Sequence, residues 1–123
     1  MPRIVHFEIS VDDPRRAANF YTKVFDWKFE SWGGGDQEYW MVTTGDKDKP
    51  GIDGGMMRRT ELFPPTTNVI DVPSVDDYSV KITRGGGTQV VPKSPIPGVG
   101  WAAYFKDTEG NIFGIYQNDP SAR

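Results

Sequence analysis

The sequence predicts an α+β fold of two tandem βαβββ modules, and three observations predict it. Glycine and proline, 14 and 10 of the 123 residues, fall between short apolar runs instead of gathering in one linker, which is the pattern of many strands and tight turns. One stretch in each half carries its apolar residues at helical spacing instead. Val5 to Val11 overlays Thr66 to Val72 at an offset of 61 residues, close to half the chain, so the second half repeats the first. Helices that follow the first strand of each half are expected outside a curved, mostly antiparallel sheet, leaving a concave pocket within. The expected organisation is a single domain, 1–123, made of two repeats, about 1–62 and 63–123.

Each element has its own warrant. Ile4 to Val11 alternates, with Phe7, Ile9 and Val11 on one face and His6, Glu8 and Ser10 on the other, as in a half-buried strand. Asp12-Asp13-Pro14 offers a helix cap with proline in the first turn, and Ala17, Ala18, Phe20, Tyr21, Val24 and Phe25 continue at helical spacing. Strands follow at Trp27 to Trp32, Glu38 to Thr44 and Ile52 to Arg59, parted by the turn Gly33-Gly34-Gly35-Asp36 and the polar loop Gly45 to Gly51. The order then begins again. Thr67 to Val72 is a strand, Pro73-Ser74 a cap, and Val75 to Thr83 a short helix closed by Arg84-Gly85-Gly86-Gly87. Thr88 to Pro92, Trp101 to Lys106 and Ile112 to Gln117 complete the set, the last two joined by the turn Asp107 to Asn111. Neither triple-glycine segment leads from a strand into a helix with a following Lys-Ser or Lys-Thr, so neither is a phosphate-binding loop.

Composition removes whole classes of function. A formal charge of −3, from 14 basic and 17 acidic residues, gives no footprint for a nucleic-acid backbone. No apolar run approaches the roughly 20 residues that span a bilayer, so no membrane partner is expected. The chain has no cysteine, which excludes disulfides, thiolate metal sites and thiol nucleophiles. With no secretory leader at its start, a cytoplasmic location is expected. The single histidine, His6, excludes most schemes that need two imidazoles from one chain.

Three segments together resemble the vicinal oxygen chelate superfamily of glyoxalases, bleomycin-resistance proteins and extradiol dioxygenases. They are the opening His6-Phe7-Glu8-Ile9-Ser10-Val11-Asp12-Asp13, the helix Arg16 to Trp27, and the closing Phe105-Lys106-Asp107-Thr108-Glu109-Gly110-Asn111-Ile112-Phe113-Gly114-Ile115. The resemblance covers nearly the whole chain and implies the two-module fold. Metal-dependent members carry ligands on the inward face of the first and last strand of each half. By that resemblance His6 holds one ligand position, Thr67 the matching one, Gly114 the place of a glutamate, and the fourth falls within Gly54-Gly55-Met56-Met57. Only His6 of these is a metal-ligating residue, a vestige of the site, so no cofactor is expected. The alternative is a divalent ion held by His6 and Glu8 with water. The resemblance also implies a homodimer.

His6 and Glu8 stand two apart on a strand, so both side chains should enter the cavity on one side. One reading makes Glu8 a general base with His6 as its partner; the other makes His6 a leftover ligand position that satisfies a buried polar contact. Ligand-binding candidates are Trp32, Trp40, Met57, Arg59, Thr67, Trp101, Tyr104 and Tyr116. The aromatics supply flat apolar walls if they face inward and plain core if they do not, and Tyr39 and Trp40, as neighbours, cannot both face the pocket. Arg59 is either an anchor for an acidic ligand group or a solvated strand end. Pro92 to Gly100 is either a lid over the cavity or a plain strand connection. The leading expectation is a metal-independent small-molecule-binding protein resembling the bleomycin-resistance branch. Its rival is a lyase, isomerase or dioxygenase-type enzyme using His6 and Glu8 with or without a divalent metal, the two-histidine extradiol chemistry being disfavoured. A structural module with its cavity filled by Met56, Met57 and tryptophans is the third reading.

Overall fold

The computed structural model describes residues 2–32 and 38–123; the turn expected at Gly33-Gly34-Gly35-Asp36 lies outside the described residues. The elements run β1 (Arg3–Val11), α1 (Pro14–Phe25), β2 (Lys28–Ser31), β3 (Tyr39–Thr43), β4 (Gly54–Arg58), β5 (Thr66–Asp71), α2 (Val75–Arg84), β6 (Thr88–Ile96), β7 (Gly100–Lys106) and β8 (Ile112–Asn118). This is the α+β, doubled βαβββ order that the sequence predicts. Packing divides the chain into two compact units, His6–Thr67 and Asn68–Arg123 with the chain start up to Val5.

The first module is ordered β2-β3-β4-β1, with β1 and β4 parallel and the other two pairs antiparallel. The second repeats this as β6-β7-β8-β5, with β5 and β8 parallel. Helix α1 starts where Asp13 accepts a hydrogen bond from the Arg16 amide at 3.0 Å, with proline in its first turn. It stops at Asp26, which adopts φ 62° while its amide closes on the Thr22 carbonyl at 3.0 Å. Helix α2 starts at Ser74, whose hydroxyl accepts from the Asp77 amide at 3.1 Å.

The register shows which face of each module is core. Phe7 pairs with Gly54, Gly54 with Val42 and Val42 with Phe29, a row on the α1 side. There Tyr21 of α1 stacks on Trp27 at 4.9 Å, and Phe7 meets the same indole at 5.9 Å. In the second module Val72, Val75, Ala103, Phe105 and Ile115 form the buried cluster, with Tyr78 and Ile82 of α2 packed on it. Successive strand side chains alternate, so the residues between these point to the helix-free face.

One segment differs from the lid reading. Pro92 to Ile96 belongs to β6, where Ser94, Pro95 and Ile96 pair with Ala102, Trp101 and Gly100 across two register shifts. The connection is a short turn, with Gly98 at φ 76° and the Val99 amide on the Ile96 carbonyl at 2.9 Å. Two prolines fit because β6 is the outermost strand of its module, where a missing amide leaves no ladder partner unpaired.

Phe105 is 1% exposed at the centre of the second module's cluster. Phe105→Ala is expected to lower unfolding stability by about 3–5 kcal/mol, as read from chemical denaturation.

Candidate functional site

The helix-free face of the first module brings three titratable side chains together. Glu8 pairs in register with Gly55 and Ser10 with Met57, while Tyr39 stands across β4 from Met57. The Tyr39 hydroxyl donates to Glu8 Oε2 at 2.8 Å and lies 2.9 Å from His6 Nε2. A phenol has one proton to give. With that proton on the carboxylate, His6 must donate from Nε2, and the bonds run His6 to Tyr39 to Glu8.

Gly55 makes this arrangement possible. A Cβ built on it would stand 1.7 Å from the Tyr39 hydroxyl, so the phenol occupies the volume of any side chain at 55. Glycine in a strand interior marks such a close approach. Glu8 is only 5% exposed, while His6 is half-buried. Burial is the main influence on the imidazole and lowers its pKa from the ordinary 6.5, against the opposing pull of the Glu8 and Asp53 charges.

The other sequence candidates divide by face. Met57 shares the helix-free face with Glu8 and Tyr39. Trp32, half-buried just past β2, donates its amide to the Tyr39 carbonyl at 2.8 Å. Trp40 is a correction: it pairs with the fully buried Met56 on the α1 side, opposite His6 and Glu8, because alternation gives the inner place to Tyr39 instead. Arg59 caps a strand end, bonded to the Asp12 carboxylate at 3.2 Å and the Ser10 carbonyl at 3.1 Å. Thr67 is 1% exposed, and its hydroxyl has no hydrogen-bond partner among the described residues.

In the second module Tyr104 and Tyr116 lie on the helix-free face, in register with Gly114 and Ala102. The Tyr116 phenol is held above its usual range by burial first and the Asp71 charge second. Trp101 is the second correction. It packs on the core cluster, its indole donates to Asp119 at 3.0 Å, and Lys93 covers its ring at 4.6 Å. A cleft of about 340 Å³ is lined by Asp71, Val72, Pro73, Gln117 and Asn118, a set without an imidazole or a nucleophile. His6, Tyr39 and Glu8 are by contrast three titratable side chains bonded to one another. The sequence weighs Tyr39 against Trp40 only as an aromatic wall; its hydrogen-bonding role has one sequence signal, the glycine pair at 54 and 55, which marks a close approach to that strand.

Residues 3–45 match the family model of the bleomycin resistance protein-like N-terminal region. A glyoxylase-like domain-containing protein of Didymella fabae is 32% identical over 120 residues, covering 92% of this chain and 91% of its own. The chain belongs to the glyoxalase-like vicinal oxygen chelate superfamily. Among solved structures, a hypothetical protein from Bacillus halodurans C-125 superposes at a TM-score of 0.70 with 12% identity, over 99% of this chain and 98% of the other. Methylmalonyl-CoA epimerase from Mycobacterium tuberculosis superposes at 0.68 with 11% identity, over 94% and 87%.

The metal site that the resemblance to this superfamily implies does not fit the side chains present. On β4 the position beside Glu8 is Gly55, which has no donor and whose side-chain volume the Tyr39 hydroxyl takes. On β8 the expected glutamate is Gly114, and a Cβ there would stand 2.8 Å from the Tyr104 ring. His6 Nε2 and Glu8 Oε2 are both engaged by Tyr39. Among the described residues no three His, Cys, Asp or Glu side chains converge as a metal group.

The depressed His6 pKa has a consequence for stability. An unfolded imidazole takes up its proton first as pH falls, so the His6 contribution is complete above 6.5 and is lost between there and the lower folded-state value. Urea unfolding followed across that window should show stability falling with pH, and His6→Gln should flatten the dependence.

Proposed function

We propose that the protein binds a small organic molecule against the helix-free face that carries His6, Tyr39 and Glu8, and that it does so without a divalent metal. Tyr39 carries this reading. Its hydroxyl links the two polar residues and stands where a side chain at 55 would have to be, so the donors meet one another instead of an ion. Met57 supplies an adaptable apolar surface on the same face. The buried, unpartnered hydroxyl of Thr67 supports a ligand too, since such a group is costly until something bonds it. A homodimer, as the family resemblance implies, belongs to the same proposal, and sedimentation would measure it.

A second reading, an isomerase- or lyase-type enzyme, is favoured by one observation. The three side chains form a directed hydrogen-bond chain that leads from an imidazole through a phenol to a buried carboxylate, which is an arrangement that moves protons. The fold likeness to an epimerase, a catalyst of inversion at carbon, supports the same class.

Elemental analysis after equilibration with zinc, nickel, manganese and iron(II) should find no retained metal; near one equivalent in wild type, absent from His6→Ala, would overturn the metal-free reading. A panel of planar phenols, quinones and short keto compounds should contain one that raises the melting temperature increasingly with concentration, corresponding to a stabilisation of about 2.7 kcal/mol at a hundred times its Kd. For the enzymatic reading, Glu8→Gln should abolish deuterium wash-in next to a ligand carbonyl while keeping that thermal shift.

A further inference from the structure

Resting on the second of these readings, we propose that His6 Nδ1 is the atom that meets the ligand, that Tyr39 passes the proton on to Glu8, and that Gly55 is the residue that admits Tyr39. The geometry fixes the order. Nε2 of His6 is taken by Tyr39, and Nδ1 makes no hydrogen bond among the described residues. In the neutral ring a proton on Nε2 leaves Nδ1 with its lone pair, the form that accepts a proton. Glu8 is the most buried of the three, at 5% exposure, and it accepts from Tyr39. Glu8 is thus the deeper member of the three and His6 the more accessible one. This reverses the roles that spacing on the strand suggests, where Glu8 would touch the ligand itself.

The step balances with the groups present. A proton leaves a carbon next to a carbonyl, or an enol oxygen, for His6 Nδ1. The Nε2 proton passes to the Tyr39 oxygen, and the phenol proton passes to Glu8 Oε2. Imidazole and phenol are neutral before and after, the carboxylate becomes a carboxylic acid, and the ligand carries the negative charge as an enolate. Return of the three protons to a different ligand atom or face completes an isomerisation, with no oxidant and no other reactant. The ligand class is therefore a carbon acid or its enol.

Gly55 is needed because the phenol stands 1.7 Å from where a Cβ would be; a methyl group there moves the hydroxyl away from both partners. The second module holds a similar close approach, Tyr104 against Gly114, but at the positions that match His6 and Glu8 by the 61-residue offset it carries Thr67 and Val69. A tyrosine over a glycine is thus common to both modules, and the residues at the offset positions are what differ.

Because His6 is the only histidine, nitrogen-15 NMR of the imidazole reads this site without assignment and without a ligand. The wild type should show the Nε2–H tautomer. Tyr39→Phe, which keeps the ring, and Gly55→Ala should both relax it toward a mixture, each with unchanged circular dichroism. An Nδ1–H tautomer in wild type, or an unchanged one in folded Tyr39→Phe, would overturn the chain; if Gly55→Ala fails to fold, Tyr39→Phe decides it. A folded Gly55→Ala with the wild-type tautomer would overturn the role of Gly55. With deuterium wash-in as the second readout, His6→Gln should lose it while keeping the ligand-induced thermal shift. Full exchange in His6→Gln together with its loss in Glu8→Gln would return the direct role to Glu8. No exchange in wild type, with the tautomer as expected, would overturn the proton transfer and mark the chain as a binding device.

Discussion

Alternation along β1, set against a parallel neighbour and a helix, is the constraint from which the site follows. Side chains of a strand point to opposite faces in turn, and α1 with its aromatic partners claims the face of Phe7. Burial of those rings holds the register of β1 on β4. A slip of one residue would turn Phe7, Ile9 and Val11 out of the core and His6, Glu8 and Ser10 into it. The polar trio therefore stands on the helix-free face as a by-product of the core, and Glu8 is placed beside Gly55 by the same register.

Tyr39 supports that placement. A carboxyl group at 5% exposure has lost most of its water and needs hydrogen bonds in exchange, and the phenol provides one from across β4. Glycine at 55 is the condition for this. The space that a side chain at 55 would take is filled by the end of a tyrosine from the next strand, so the bare backbone at 55 and the position of the hydroxyl are two sides of one packing arrangement.

The parts that sequence reading left open were those that depend on what lies across a strand. Tyr39 and Trp40 are neighbours with equal claims as aromatics, and only pairing with Met57 or Met56 assigns one to each face. Trp101 has the composition of a pocket wall, yet an indole bonded to Asp119 and covered by Lys93 is part of the second module's core side. The proline-rich Pro92 to Ile96 has the composition of a loop. It is strand because it lies at the outer edge of its module, where pairing on one side is enough.

Local information in the sequence determined the two-module βαβββ order, the position of both helices with their caps at Asp13 and Ser74, and the shared face of His6 and Glu8. These follow from periodicity and backbone preference, which act over a few residues. The tertiary structure alone decided that Tyr39 joins those two side chains, that Gly55 makes room for it, and that Trp40 and Trp101 turn to the helices. Each of these depends on contacts between residues far apart in the chain, 31 positions for Tyr39 with Glu8 and 33 for Tyr39 with His6, and strand register sets such contacts in a way that no local pattern encodes.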